Sequence, residues 1–165
     1  MAKMSQKTSK QMSVNQTDEI KNSIFRYLNI REHSKLELYE KLLKKNFKRK
    51  EIKECILEFE EKGLQSDKRY AELYAKSRFE NQKGPYFIES NLRKNGVDKN
   101  IIRETLLAYS EHDWKNAAVI ALEKKSLPKK LSTDKAKTEK QEMFLRTRGF
   151  GMNIIKNAIN QFWQS

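Results

Sequence analysis

The sequence predicts an all-α protein built from three tandem three-helix repeats that stack into an elongated, curved array. Three observations carry this. A helix–turn–helix pattern recurs three times at a near-constant spacing. Only five Gly and two Pro occur in 165 residues, which suits helices with short connections. No segment shows the strict alternation of a half-buried strand.

The clearest copy of the pattern spans residues 84–106. Gly84 is placed as an N-cap and Pro85 stands at the first helical position, where its missing N–H is harmless. Phe87, Ile88 and Leu92 form an apolar stripe at helical spacing. Gly96 supplies the left-handed residue that ends the helix, and Val97 the apolar contact of a Schellman motif. Asp98 caps the next helix, whose stripe is Ile101, Ile102, Thr105, Leu106 and Tyr109. Fifty residues upstream, Leu42, Asn46, Phe47, Ile52 and Ile56 occupy the places of Leu92, Gly96, Val97, Ile102 and Leu106. Fifty-three residues downstream, Leu145, Gly149, Phe150, Ile155 and Ile159 do the same. Asn46 substitutes for glycine because its short polar side chain tolerates the left-handed conformation. Aligned positions in three copies identify an internal repeat. Because three short helices cannot bury a full apolar face alone, neighbouring repeats are expected to cover the remainder.

In chain order, residues 1–17 are polar and basic without periodicity, and are expected to be a disordered tail. The first repeat takes residues 18–65. It opens with a helix carrying Ile20, Ile24, Tyr27 and Leu28. Ser34 to Glu37 reads as a capping box, with Ser34 as N-cap and Glu37 reaching back. The following helices present Leu38 and Leu42, then Ile52, Cys55, Ile56 and Phe59, and Gly63-Leu64 closes the last. The second repeat takes 66–110. Asp67 opens a helix with Tyr70, Leu73, Tyr74 and Ala75, ending near Arg78-Phe79. The third takes 111–165. It begins near Asp113 with the small-residue face of Trp114, Ala117, Ala118, Ala121 and Leu122. Pro128 then breaks the chain, within a Lys-rich connection at 124–140. The last helix buries Ile154, Ile155, Ala158, Ile159 and Phe162 or Trp163.

Composition narrows the function. Net charge is +13, divided as +3 over residues 1–17, +2 over 18–66, +3 over 67–110 and +5 over 111–165. A polyanion is the economical partner for such a surface, although a solvated Lys-rich exterior has the same composition. Cys55 is the only cysteine, so no internal disulfide forms and a reducing compartment is expected. The N-terminal stretch lacks the apolar core of a signal peptide, and no run is long enough for a membrane span. A soluble, cytoplasmic monomer is expected.

Catalytic patterns are missing. Gly149-Phe150-Gly151 lacks the spacing and the Lys-Ser/Thr of a P-loop, and Gly149 is better read as a helix stop. His33 and His112 have no Cys or carboxylate at metal-ligand spacing and read as loop or helix-end residues. Cys55 lies on an apolar helix face without an activating base. A non-enzyme without cofactor or metal is expected. The pointed features are basic residues beside aromatics near helix ends. Arg78, Lys83, Arg93, Arg146, Arg148 and Lys156 are the candidate contacts to an acidic groove or a phosphate backbone, since Arg pairs bidentately with anions and stacks on rings. Tyr70, Tyr74 and Phe150 are read as core, and Gly84, Pro85, Gly96 and Gly149 as structural.

The motifs also resemble a known family. Arg31-Glu32-His33-Ser34 with Glu37-Leu38 and Lys41-Leu42 is similar to the first signature of the RecX family. Gly63-Leu64, Asp67 and Arg69-Tyr70-Ala71 resemble its second, and Lys83-Gly84-Pro85 with Ile88, Leu92 and Gly96-Val97 its third. Phe144-Leu145, Arg148-Gly149-Phe150 and Ile154-Ile155 resemble its C-terminal one. The likeness runs in order over residues 18–163 and leaves the basic N-terminal extension outside. Asn46 departs from the glycine of many members. The resemblance implies tandem three-helix repeats and a modulator of the RecA recombinase. Such a modulator lies in the groove of the RecA–single-stranded DNA filament and restrains extension, ATP hydrolysis and strand exchange. It implies no catalytic residues. The rival reading is a helix–turn–helix protein that binds duplex DNA directly, with Lys99, Asn100 and Arg103 as readers.

Overall fold

The structure, a computed structural model, describes residues 2–125 and 135–164. The expectations for Pro128, Lys129 and Lys130 lie outside the described residues. Among those residues the chain is all helical, with nine helices and no strand. They are α1 (Ala2–Ile30), α2 (Lys35–Leu43), α3 (Arg49–Glu61), α4 (Asp67–Glu80), α5 (Pro85–Lys94), α6 (Lys99–Leu107), α7 (Glu111–Lys124), α8 (Lys135–Thr147) and α9 (Met152–Gln164).

The helix stops sit where the repeat places them. Asn46, Gly96 and Gly149 adopt φ of 62°, 75° and 88°, and Gly63 adopts 69°. The wide hydrogen bond of the Schellman motif follows: Val97 N–H donates to the Leu92 carbonyl at 3.1 Å and Phe150 N–H to the Leu145 carbonyl at 3.2 Å. Gly84 caps α5 with Pro85 at its first turn, and Asp98 caps α6 by accepting from Asn100 N–H at 2.8 Å.

Several local expectations are corrected. Ser34 does cap α2 by accepting from Glu37 N–H. Glu37, however, does not reach back to it. Its carboxylate takes the Arg31 guanidinium bidentately, at 3.0 and 3.1 Å, because a charged fork outcompetes a neutral amide. A full capping box instead opens α7, between Ser110 and Asp113, so that helix starts at Glu111 rather than near Asp113. Helix α4 buries Tyr70 and Ala75 as expected, but Leu73 is 56% exposed and Ala71 is buried in its stead. Helix α1 runs without interruption from Ala2, across the stretch expected to be disordered. Residues 1–17 contain neither Gly nor Pro, so no helix breaker stops a helix propagating back from Asp18 toward the N-terminus.

The described chain forms two compact units, residues 1–70 and 71–165, the second holding the last two repeats. In the first, Ile20, Ile24, Leu38, Leu42, Ile52, Cys55, Ile56 and Phe59 make one core from α1, α2 and α3. Each such Leu or Ile contributes roughly 1.5–3 kcal/mol on leaving water. The start of α4 locks onto this core through polar contacts. Asp67 Oδ1 accepts from Lys35 N–H at 2.9 Å and from the Gln65 amide at 2.8 Å. Arg69 Nε donates to Glu32 Oε1 at 2.7 Å, and its other nitrogens to the carbonyls of Gly63 and Leu64. In the second unit α7 packs on α9, and Trp114, Ala117, Ala118, Ala121, Leu122, Ile155, Ala158 and Phe162 are buried. Two features fuse the second and third repeats. One is an aromatic cluster of Phe79, Tyr109 and Trp114, with ring centroids 4.7–5.2 Å apart. The other is a backbone joint. Gly84 N–H donates to the Arg148 carbonyl at 2.8 Å and Tyr86 N–H to the Gly149 carbonyl at 3.0 Å. The free donors at the start of α5 thus satisfy the free acceptors at the end of α8.

Candidate functional site

Cys55 and His33 are held in the core. Cys55 is 2% exposed and burial pushes its thiol up, the opposite of an activated thiolate. His33 is 3% exposed, its Nδ1 lies 2.9 Å from the Arg31 carbonyl, and burial pulls its pKa down. Among the described residues no group of His, Cys, Asp and Glu could hold a metal ion.

The backbone joint of the second unit assembles something different. Because Gly84 and Gly149 touch, the end of α8 meets the α4–α5 loop, and basic side chains from separate segments converge there. Arg148 Nε donates to the Gln82 carbonyl at 2.8 Å and Nη2 to the Asn81 carbonyl at 2.6 Å. Lys124 donates to Gln82 Oε1 at 3.0 Å. Lys125 and Arg148 both lie against the Phe144 ring, at 4.1 and 5.3 Å from its centroid. Arg78 lies over Tyr74 at 4.9 Å and Lys83 over Phe87 at 4.6 Å. Burial pulls the Lys83 pKa down, and the positive charges of Arg148 and Arg78 pull it further. Gln82, at the centre, holds a left-handed φ of 51°.

The partners of these five cations among the described residues are carbonyls, one amide oxygen and ring faces. Those contacts orient the charges without neutralising them. Like charges gathered this way are mutually unfavourable, and an incoming anion relieves the repulsion. The arrangement suits phosphate or carboxylate groups, with rings behind the cations.

Three of the six residues singled out from sequence, Arg78, Lys83 and Arg148, therefore meet. The other three do not join them. Arg93 is an exposed residue of α5, paired with Glu89 at 2.5 Å. Arg146 is exposed, with Nη2 3.9 Å from Met152 Sδ, and Lys156 is exposed on α9. Arg146 and Arg148 are thus not equivalent, since Arg148 braces a loop. Lys124 and Lys125 were not singled out individually. Their only signal in sequence was membership of the Lys-rich stretch, and the ring that receives Lys125 comes from another helix.

Residues 66–106 match the model of the RecX second three-helix domain. Regulatory protein RecX of Legionella pneumophila (strain Corby) is 31% identical over 140 residues, covering 85% of this chain and 92% of that one. Regulatory protein RecX of Acinetobacter baylyi is 32% identical over 142 residues, covering 86% and 87%. The crystal structure of RecX from Lactobacillus salivarius superposes with a TM-score of 0.80 at 28% identity, covering 92% of this chain and 99% of that one.

Proposed function

The chain belongs to the RecX family, and from that premise we propose that it regulates recombination and DNA repair by binding the RecA–single-stranded DNA filament. In this reading it restrains filament extension, ATP hydrolysis and strand exchange, with no catalytic step of its own. It acts as a monomer in the cytoplasm. Among the described residues no helix is long and apolar enough to cross a membrane.

The observation that carries the proposal is the cluster of Arg78, Lys83, Lys124, Lys125 and Arg148, five cations from α4, the α4–α5 loop, the end of α7 and the turn after α8, held on carbonyls, an amide oxygen and ring faces. A nucleoprotein filament offers phosphates and protein carboxylates along its length. A net charge of +13 favours encounter with it. A protein that engages several protomers gains avidity from many modest contacts.

The test is the single-stranded-DNA-dependent ATPase of RecA from the same source, with this protein added well below the recombinase concentration. Lys83→Gln and Lys125→Gln are the variants to use, because both side chains rest on ring faces and neither holds a backbone carbonyl. Inhibition by the natural chain, with the double variant needing about tenfold more protein, is expected; losing phosphate-type contacts also flattens the salt dependence. Equal inhibition by the variant removes the cluster from the mechanism. No inhibition at equimolar protein, with tight duplex binding in the same buffer, promotes direct DNA binding instead.

A further inference from the structure

We propose that the groove between α5 and α6 is a docking site for an acidic peptide segment of a partner protein that carries one bulky apolar side chain. The groove shares no residue with the basic cluster, so the two readings stand or fall separately.

The groove encloses about 500 Å³, within the range of pockets that hold a side chain or a small ligand. Its floor is apolar. Ile102 and Trp114 are 4% and 6% exposed, Leu106 and Tyr109 are half-buried, and Leu107 stands at the mouth with 75% of its surface open. A single exposed leucine needs no explanation, but a leucine beside a concave apolar floor marks a contact site. The rim carries Arg93, Lys99 and Arg103 against one carboxylate, Glu89, which already pairs with Arg93. Lys99 and Arg103, both exposed, project from the first turns of α6.

Charge complementarity therefore selects an acidic occupant, and the floor selects which kind. A nucleic acid enters such a site by stacking bases on open ring faces. The two rings that line this groove are packed on each other and on Phe79, at 4.9, 4.7 and 5.2 Å. The remaining floor is aliphatic, which receives a Phe or Leu side chain and gives a base nothing to stack on or hydrogen-bond. An acidic peptide with an apolar anchor satisfies both parts at once: the anchor fills the floor, and flanking carboxylates reach Lys99 and Arg103. This is the anchor-and-rim arrangement of peptide recognition, in which one desolvated side chain supplies most of the affinity.

The experiment is fluorescence anisotropy with the full chain and a fluorescein-labelled short peptide of Asp and Glu around a single Phe. The comparison probes are the same peptide with Ala for Phe and a labelled oligothymidylate. The Phe peptide is expected to bind, with about tenfold weaker binding when Phe becomes Ala, equivalent to about 1.4 kcal/mol. Leu107→Asp and Arg103→Glu should each weaken it by about tenfold. Both positions are exposed, so these variants keep the fold, which a far-UV melting curve verifies. Lys83→Gln should bind the peptide as the natural chain does. Three results overturn the proposal: no peptide binding, equal binding of the Ala peptide, or full binding by both groove variants. Displacement of the peptide by oligothymidylate, with amide shifts at Ile102 and Leu106, also overturns it and makes the groove a nucleic-acid site.

Discussion

The joint between Gly84 and Gly149 makes a prediction that separates two physical effects. A Cβ built on Gly84 lies 2.3 Å from the Gly149 carbonyl oxygen and 2.6 Å from the Phe150 nitrogen. The φ of Gly84 is −83°, which any residue adopts, so Gly84→Ala introduces a clash without strain. A Cβ on Gly149 lies 2.4 Å from the Phe87 nitrogen, and its φ is +88°, so Gly149→Ala introduces both. Gly63 has φ +69° and nothing within 4 Å of the added atom, so Gly63→Ala introduces strain alone. Left-handed strain costs about 1 kcal/mol for a single alanine. The clash is against backbone, which cannot rotate away. Relieving it parts the two segments and loses the bonds from Gly84 N–H and Tyr86 N–H, at about 1 kcal/mol each, on top of about 1 kcal/mol of overpacking. The expected losses are about 1 kcal/mol for Gly63→Ala, about 3 for Gly84→Ala and about 4 for Gly149→Ala. With about 3 °C per kcal/mol for a chain of this size, melting temperatures fall by about 3, 9 and 12 °C. Urea unfolding followed by circular dichroism, with calorimetry for the temperatures, reads all three. A Gly84→Ala variant within about 0.5 kcal/mol of the natural chain, or a Gly63→Ala variant as damaged as Gly149→Ala, would refute the close backbone approach.

Arg148→Ala should lower stability by about 2 kcal/mol, because it strips the charged donors from the Asn81 and Gln82 carbonyls, whereas Arg146→Ala should stay within about 0.5 kcal/mol. If urea unfolding shows Arg148→Ala to be as stable as the natural chain while filament inhibition is lost, Arg148 is a partner contact rather than a brace. Stability should also decline as pH falls below the ordinary histidine value of 6.5, because burial holds His33 neutral in the fold and the unfolded chain takes up the proton first. Arg31 and Lys41 oppose its protonation and Glu37 favours it. His33→Gln should flatten unfolding free energies measured between pH 7 and the lowered histidine value. Glu58, held down to about 2 by its hydrogen bonds to Lys21 and then Lys62, titrates below its ordinary 4.5 and leaves that window clear.

Much of the fold was legible because it is written in local chemistry. The left-handed stops at Asn46, Gly96 and Gly149, the Gly84-Pro85 start and the core stripes of α1, α3 and α7 all follow from spacing within a few turns of helix. What sequence missed depends on contacts through space. Ser34 and Glu37 have the letters of a capping box, yet the nearby Arg31 is a stronger partner for Glu37 than a backbone amide. Ser110 and Asp113 make the real box with an acid shorter than the usual glutamate, which is why it was overlooked. The candidate site was half legible. Arg78, Lys83 and Arg148 were chosen for sitting beside aromatics, and they meet. Lys124 and Lys125 were lost in a run of lysines, because no local rule says which lysine will find Gln82 or Phe144.

The family signatures themselves have a structural explanation. In the first unit, Arg69 donates to the carbonyls of Gly63 and Leu64, just beyond α3, and to Glu32 of the first signature. In the second, Arg148 donates to the carbonyls of Asn81 and Gln82, just beyond α4. Each arginine satisfies acceptors that a helix end leaves free, and each ties its own segment to the end of an earlier helix. Asp67, Ser34, Gly84 and Gly149 serve the same joints as caps and close-contact residues. The motifs by which the chain is recognised thus largely mark where helices are fastened together. Lys83, resting on Phe87, is the exception that faces both ways. Under the proposed function and docking site, partner choice falls mainly to residues outside the signatures: Lys124 and Lys125 at the cluster, and Lys99, Arg103 and Leu107 at the groove. Replacing a signature arginine should damage folding and function together. Replacing these other side chains should change binding while the helices melt as before, so melting curves set beside binding curves distinguish the two classes.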